Sequence, residues 1–255
     1  MLNLIILAIV QGLTEFLPIS SSGHLAILQN IFQEVNVSLD VFLHLATLLA
    51  VIVYFYKDIL NIIKDFFTWK KDSQNFRIAI YLIIASIPAA IVGLLFKKYI
   101  EGVFSNIILI AFGFIITSLF LFSASTKANY PQSENKPLTL KNTFVIGIAQ
   151  ALAIFPGISR SGSTSSTGIL LNLSKKDALK FSFLLAIPAI LGASILEIRA
   201  LTITSSILIP FVLAFFSGLL GIYLFINKIS IKNLKYFGYY CLFIGLALLI
   251  IKSIT

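Results

Sequence analysis

Glu15, His24 and Arg160 are ionisable side chains set within otherwise apolar stretches of a 255-residue chain. In a bilayer each would cost about 2.5–3.5 kcal/mol near the centre, roughly 8–10 kcal/mol together, which rivals the whole stability of a typical fold. They must pair with one another, with water or with a ligand. A structural ion pair is the plainest reading, but the neighbouring residues point further, to phosphate. Ser20-Ser21-Ser22-Gly23 precedes His24, and Ser159-Arg160-Ser161-Gly162-Ser163-Thr164 forms a similar run. Small residues ahead of a helix N-terminus leave backbone N–H groups free for an anion, and the helix dipole reinforces them. Arg160 adds a planar, permanently charged fork suited to phosphate oxygens.

Phosphoryl transfer needs charge neutralisation, a nucleophile, a proton acceptor and help for the leaving group. Arg160 and the N–H groups can neutralise charge. A hydroxyl such as Ser21, or His24 itself, can attack. Glu15 can orient His24, accept a proton, or bind a divalent cation together with Gln11, one turn earlier on the same helix face. No HExxH motif or Cys/His cluster argues for zinc. Asp40 and His44, four apart at the start of an apolar stretch, read as a capping acid and a hydrogen-bonded polar residue, or as support near an outer cavity. Glu197 and Arg199 read as solvated interfacial charges, and the lone Trp69 beside Lys70 and Lys71 reads as an interfacial anchor.

These residues must be positioned by membrane elements. The chain is 58% hydrophobic and only 11% charged, less than half the charged share of about 25% in soluble domains. The net charge of +9 sits in loops without interleaved aromatics, so it speaks for topology rather than for nucleic acid. The single Cys241 allows no intrachain disulfide. Leu2–Val10 lacks a basic flank and a cleavage site, so the N-terminus is expected to be mature structure. Six stretches read as spans: Leu39–Tyr56, Ile78–Phe96, Phe104–Phe122, Ala178–Ile198, Ser205–Ile226 and Tyr236–Ile251. Leu2–Leu17 and Thr143–Phe155 break instead at Pro18 and at Pro156–Gly157, and each is expected to begin a re-entrant helical hairpin. The fold class is therefore an all-α polytopic membrane protein with six spans and two re-entrant hairpins. With Lys57–Arg77 cytoplasmic, fourteen of the 19 basic residues fall on that side and four on the other, with Arg160 inside the second hairpin. The positive-inside rule then places the N-terminus and the entry of the first hairpin outside.

The two hairpins are related. Gln11–Gly23 laid over Gln150–Gly162 at an offset of 139 gives identities at seven of thirteen positions, where about one is expected by chance. Three spans lie between the copies, so the second is inverted; the repeats are expected at about 1–123 and 140–255. Inverted repeats with broken helices place their site at the repeat interface near the midplane. That brings the two polar tips face to face.

Gln11-Gly-Leu-Thr-Glu15-Phe-Leu-Pro-Ile-Ser-Ser21-Ser-Gly-His24 resembles the first signature of bacterial undecaprenyl-diphosphate phosphatases, the bacitracin-resistance family. Pro156-Gly-Ile-Ser159-Arg160-Ser-Gly-Ser-Thr164 resembles the second, and Asp40–Val51 with His44 resembles that family's first span. The resemblance covers essentially the whole chain. It implies hydrolysis of the C55 polyprenyl diphosphate carrier to the monophosphate, which recycles the carrier for cell-wall synthesis and confers bacitracin resistance. It further implies the bacterial cytoplasmic membrane, a divalent cation (magnesium or calcium), and Glu15, Ser21, His24 and Arg160 as catalytic residues. Gln11, Ser20, Ser22, Ser159, Ser161 and Thr164 would contact substrate. Glu15 and Gln11 would hold the metal, with Gln11 where some members have Glu. Ser21 is the expected nucleophile, with His24 and Glu15 handling protons. The expected partners are the lipid substrate and the bilayer, no nucleic acid, and, left open, a second copy in a homodimer. The rival reading is an inverted-repeat transporter or flippase for a lipid phosphate or other anion. Mere binding, however, needs no acid–base set such as Glu15, Ser21 and His24.

Overall fold

The structure is a computed structural model that describes residues 1–33, 37–129, 136–197 and 205–254; among these, every regular element is helical. In chain order the helices are α1 (Leu2–Phe16), α2 (Ser21–Phe32), α3 (Val37–Tyr54), α4 (Tyr56–Phe67), α5 (Gln74–Leu95) and α6 (Lys97–Phe104). There follow α7 (Ile107–Thr126), α8 (Leu140–Leu152), α9 (Arg160–Leu170), α10 (Lys175–Leu196), α11 (Leu208–Asn227) and α12 (Leu234–Ile254). By length and apolarity α5, α7, α10, α11 and α12 can each cross a membrane, and α3 and α4 form a pair bent by 80°. The chain is thus an all-α polytopic membrane protein. Arg199 and the expected end of a span at Ile198 lie outside the described residues.

Several boundaries differ from the expectation, each for a local reason. The first span stops at Tyr54, and the aromatic run that extended the reading to Tyr56 instead turns the chain at Phe55 into α4. α5 begins earlier than Ile78 because the Ser73 hydroxyl accepts the Phe76 N–H at 3.0 Å, a standard N-cap. The Ser174 hydroxyl likewise accepts from Asp177 N and donates to its carboxylate, fixing the start of α10. α8 ends at Leu152, before the expected Phe155, and turns follow up to Pro156. Proline supplies no N–H, and it disfavours helical backbone in the residue before it.

The packing pairs helices across the two halves. α1 lies on α11 as α8 lies on α5; α7 packs on α12, α3 on α10, α3 on α11 and α10 on α5. Exchanging the members of each half, α1 for α8, α3 for α10, α5 for α11 and α7 for α12, maps this set of contacts onto itself. The closest approaches use glycine. A Cβ on Gly12 would meet Ala214 O of α11 at 2.5 Å, and one on Gly147 would meet Ala85 O of α5 at 2.7 Å. Small residues of this kind let membrane helices approach backbone to backbone.

Each break is held at its carbonyl by the opposite half's long helix. Thr117 of α7 donates to Gly157 O at 2.9 Å and accepts from Ser159 N at 2.8 Å. At the position 139 residues earlier, Pro18 O receives the Cys241 thiol of α12 at 3.8 Å, a weaker version of the same bond. Gly157 has φ +90°, and a methyl group there would meet Ile110 O at 2.2 Å. Gly157→Ala is therefore expected to destabilise the fold by about 1–3 kcal/mol. Gly192→Ala, where a methyl group meets nothing within 4 Å, should leave stability unchanged or raise it slightly. Thermal unfolding of both variants in detergent, followed by circular dichroism, checks the contrast.

Candidate active site

α1 carries Gln11 and Glu15 one turn apart, both buried. Gln11 Nε2 donates to Glu15 Oε2 at 3.1 Å. The chain leaves α1 at Phe16, passes Pro18 and re-enters helix at Ser21. The turn is made by Ser20 at φ 68°, a left-handed conformation that costs a non-glycine residue about 1–3 kcal/mol unless its surroundings hold it there. They do. Its hydroxyl accepts Gly23 N at 3.2 Å, and its carbonyl accepts both His24 N at 3.2 Å and His24 Nδ1 at 2.7 Å. The first two N–H groups of α2, on Ser21 and Ser22, then have no partner within the helix. The Ser21 hydroxyl points back and donates to Glu15 Oε2 at 2.6 Å.

The second tip repeats this frame without the strain. Ser159 (φ −72°) caps α9 by accepting Gly162 N at 3.0 Å, and Ser159 and Ser161 hydroxyls stand 3.3 Å apart, as Ser20 and Ser22 do at 3.4 Å. Arg160 takes the place of Ser21. Its Nη2 donates to Glu15 Oε1 at 2.8 Å and its Nη1 to Ser182 O of α10 at 3.1 Å. Thr164 completes the socket, bonding Arg160 O at 2.7 Å and Ser182 Oγ at 2.6 Å. Ser161 donates across to Leu17 O at 3.1 Å, tying the second tip directly to the first. Ser159, Ser161 and Thr164 are buried, whereas Ser21, Ser22 and His24 are only half-buried. The two tips thus meet at Glu15, with the first open and the second enclosed.

His24 departs from the sequence reading: it does not touch Glu15. The Ser20 carbonyl can only accept, so Nδ1 carries a proton, and Nε2 is hydrogen-bonded to the Tyr240 hydroxyl of α12 at 2.7 Å, accepting from it in the neutral ring. The His24 and Tyr240 rings are parallel at 5.7 Å, and Phe114 meets His24 edge-on at 5.3 Å. The imidazole beside Glu15 is His44, with Nε2 3.9 Å from Glu15 Oε2 and Nδ1 donating to Asp40 O at 2.7 Å. Asp40 in turn accepts from Gln29 Nε2 at 2.6 Å. Its carboxylate is thus engaged by α2, where a bland capping role had been the plainer expectation. An ionisable side chain inside an apolar span signalled His44, although the local Asp40–His44 spacing offered an easier explanation. Tyr240, one of nine tyrosines, carried no such signal. Glu197, expected as a solvated charge, pairs with Lys97 at 2.6 Å.

The family model described as bacitracin resistance protein BacA matches residues 4–247. The chain belongs to that family. Both tips, Asp40, His44 and Tyr240 lie inside the matched range. The chain is 46% identical over 247 residues to a Thermosipho africanus protein named undecaprenyl-diphosphatase, covering 96% of this chain and 98% of that one. A Methanococcus vannielii protein of the same name is 44% identical, over 93% and 94% of the two chains. The undecaprenyl-diphosphatase 1 of Shouchella clausii is 38% identical, over 99% and 97%.

In this BacA-family chain the donor set allows a cation only in a limited way. Among the described residues no three His, Cys, Asp or Glu side chains cluster as a metal cage. Gln11 Oε1, however, is buried without a hydrogen-bond partner, one turn from Glu15. One carboxylate and one amide oxygen suit magnesium or calcium only when substrate oxygens complete the shell.

Removing one partner of a buried ion pair strands the other charge and costs about 3–5 kcal/mol. Glu15→Gln and Arg160→Met are each expected to lower the unfolding midpoint in detergent markedly. The double variant should lie closer to the parent than either single, because it leaves no stranded charge. A double-mutant cycle on thermal unfolding measures this coupling.

Proposed function

We propose that this chain hydrolyses a polyprenyl diphosphate, of the undecaprenyl class named for its relatives, to the lipid monophosphate and inorganic phosphate. It would thereby recycle the lipid carrier for cell-wall synthesis and confer bacitracin resistance. The observation that carries the reading is the Ser21 hydroxyl bonded at 2.6 Å to Glu15, whose other oxygen is held by Arg160. A nucleophile on its base, with the base oriented by a third group, is the working unit of covalent hydrolysis.

On this reading the terminal phosphoryl group lies over the first tip. The free N–H groups of Ser21 and Ser22 and the unused N–H groups of Arg160 take its oxygens. Ser21 Oγ bonds to the terminal phosphorus while its proton passes to Glu15 Oε2, and the bond to the bridging oxygen breaks to release the lipid monophosphate. Water then attacks phosphorus, the bond to Ser21 Oγ breaks, and the proton on Glu15 returns to that oxygen. His24 faces the same opening through Nε2 and can meet phosphate once Tyr240 turns aside. Its contact would be with substrate, whereas the proton from Ser21 goes to Glu15. Ser20, Ser22, Ser159, Ser161 and Thr164 hold these groups in place, the last three from within the protein. Glu15 and Gln11 would hold magnesium or calcium together with phosphate oxygens. The ion's contribution is to offset the diphosphate's charge.

The pattern of basic residues supports placement in the cytoplasmic membrane with the first tip open to the outer side. A transport reading draws on the matched frames of the two tips. It leaves unexplained why the second, enclosed tip has Ile154 and Ser163 where the first has Glu15 and His24.

Purified protein in detergent is expected to release inorganic phosphate from a polyprenyl diphosphate when magnesium or calcium is present, and to stop on chelation. Ser21→Ala, His24→Ala and Arg160→Lys should each reduce turnover at least about 10²-fold while the protein stays folded. Substrate binding without phosphate release by the parent protein would instead favour transport. Sidedness is read separately: a cysteine at Ser22, in a Cys241→Ser background, should react with an impermeant maleimide added to the outside of whole cells.

A further inference from the structure

Helix α4 carries an apolar face that the protein leaves uncovered. At 3.6 residues per turn, Ile59, Ile62 and Phe66 fall on one stripe. That stripe is covered by the protein: Ile62 is buried, Ile59 packs on the core, and Phe66 stacks on Phe76 of α5 at 5.8 Å. The adjoining stripe of Tyr56, Leu60, Ile63 and Phe67 is exposed, at 52%, 61%, 47% and 80%. Trp69 continues it just past the helix end, 62% exposed. Trp69 adopts φ 55°, a left-handed conformation disfavoured for a bulky residue, and Phe76 supports its ring edge-on at 5.5 Å.

The charges of α4 are sorted by edge. Asp58 and Asp65 lie on the side toward the protein, where Asp58 pairs with Lys180 of α10 at 2.5 Å and Asp65 accepts from Asn75 at 2.8 Å. Lys57 and Lys64 lie on the opposite edge, exposed beside the apolar stripe. Lys70 and Lys71 follow, with Lys70 3.5 Å from Asp65 and Lys71 over the Trp69 ring at 5.1 Å. The acids thus face inward and are partnered, while the lysines border the uncovered apolar surface. The 80° bend from α3 sets α4 steeply across the axis of that apolar helix.

We propose that α4 and Trp69 dock onto the lipid surface at the lysine-rich end of α3, with the apolar stripe among the upper acyl chains and the lysine edge selecting anionic headgroups. An apolar face flanked by lysines and ending in tryptophan suits that interface, and each lysine near an anionic leaflet adds about 1 kcal/mol of attraction. This inference is independent of the phosphatase reading, since it involves no residue of the two tips.

Trp69 is the chain's single tryptophan, so its fluorescence reports on this surface alone. The full-length protein would be reconstituted into phosphatidylcholine vesicles with a fixed fraction of lipid brominated near the headgroup end, either phosphatidylcholine or phosphatidylglycerol. Bromolipid should quench Trp69 while acrylamide in the buffer quenches it poorly. Brominated phosphatidylglycerol should quench at least about twofold more strongly than its zwitterionic counterpart at equal fraction. The triple variant Lys57→Gln, Lys64→Gln, Lys71→Gln should lose that preference and keep the quenching. Strong acrylamide quenching without a bromolipid effect would overturn the docking. Protection from both quenchers would overturn it in favour of cover by a second copy of the chain. Equal quenching by both lipids in the parent protein would overturn the anionic selectivity.

Discussion

The ion pair between Glu15 and Arg160 joins residues 145 positions apart, and much of the architecture can be understood as what that pair requires. Each residue must arrive at membrane depth on a broken helix, because a continuous helix would carry its backbone past the meeting point. A break exposes peptide groups that lipid cannot satisfy. Here they are satisfied from within: Thr117 serves Gly157 O and Ser159 N, Cys241 serves Pro18 O, and Ser161 bridges to Leu17 O. Bringing two breaks together also requires the arms to lie close against their neighbours. Gly12 and Gly147 permit that by leaving no side chain between α1 and α11 or between α8 and α5.

The two tips share a frame and divide the chemistry. Matched serines cap α2 and α9 through the third N–H, and matched hydroxyl pairs follow. Against this common geometry the differences are few. Glu15 corresponds to Ile154, Ser21 to Arg160 and His24 to Ser163. Strain is also confined to one copy, since Ser20 is left-handed and Ser159 is not. The strained copy is the one whose hydroxyl and imidazole remain half-open. Backbone strain concentrates where surrounding bonds over-determine it, and at functional sites it is part of how groups are aimed.

What was legible in the sequence follows the range of the forces involved. The spans were legible because long apolar runs need no partner to be recognised, and the tips were legible because the offset of 139 repeats their chemistry. α4 is absent from the expected elements, since its apolar residues are split between a protein-facing and an outward stripe and never form a run. The contact of His24 with Tyr240 joins residues 216 positions apart through the packing of α2 toward α12. No local spacing records it. His44 was visible as an ionisable residue in a span, but only the crossing of α1 and α3 shows that it faces Glu15.

Counting donors and acceptors at the centre shows how the site can hold a ligand without coming apart. A guanidinium offers about five N–H donors; Arg160 uses one on Glu15 and one on Ser182 O. The rest can take phosphate oxygens while both anchors stay in place. An ionised carboxylate offers about four acceptor positions, and Glu15 fills three with Arg160, Ser21 and Gln11. Ser21 and Gln11 occupy Oε2, so the position left is on Oε1 beside Arg160; His44 Nε2 lies 3.9 Å from the filled Oε2, and the unpartnered Gln11 Oε1 is one turn away along α1. A cation shared with Gln11 Oε1 and phosphate oxygens would take that position. Gln11 and His44 therefore both bear on Glu15 Oε2, while a ligand is offered a single vacancy on Oε1.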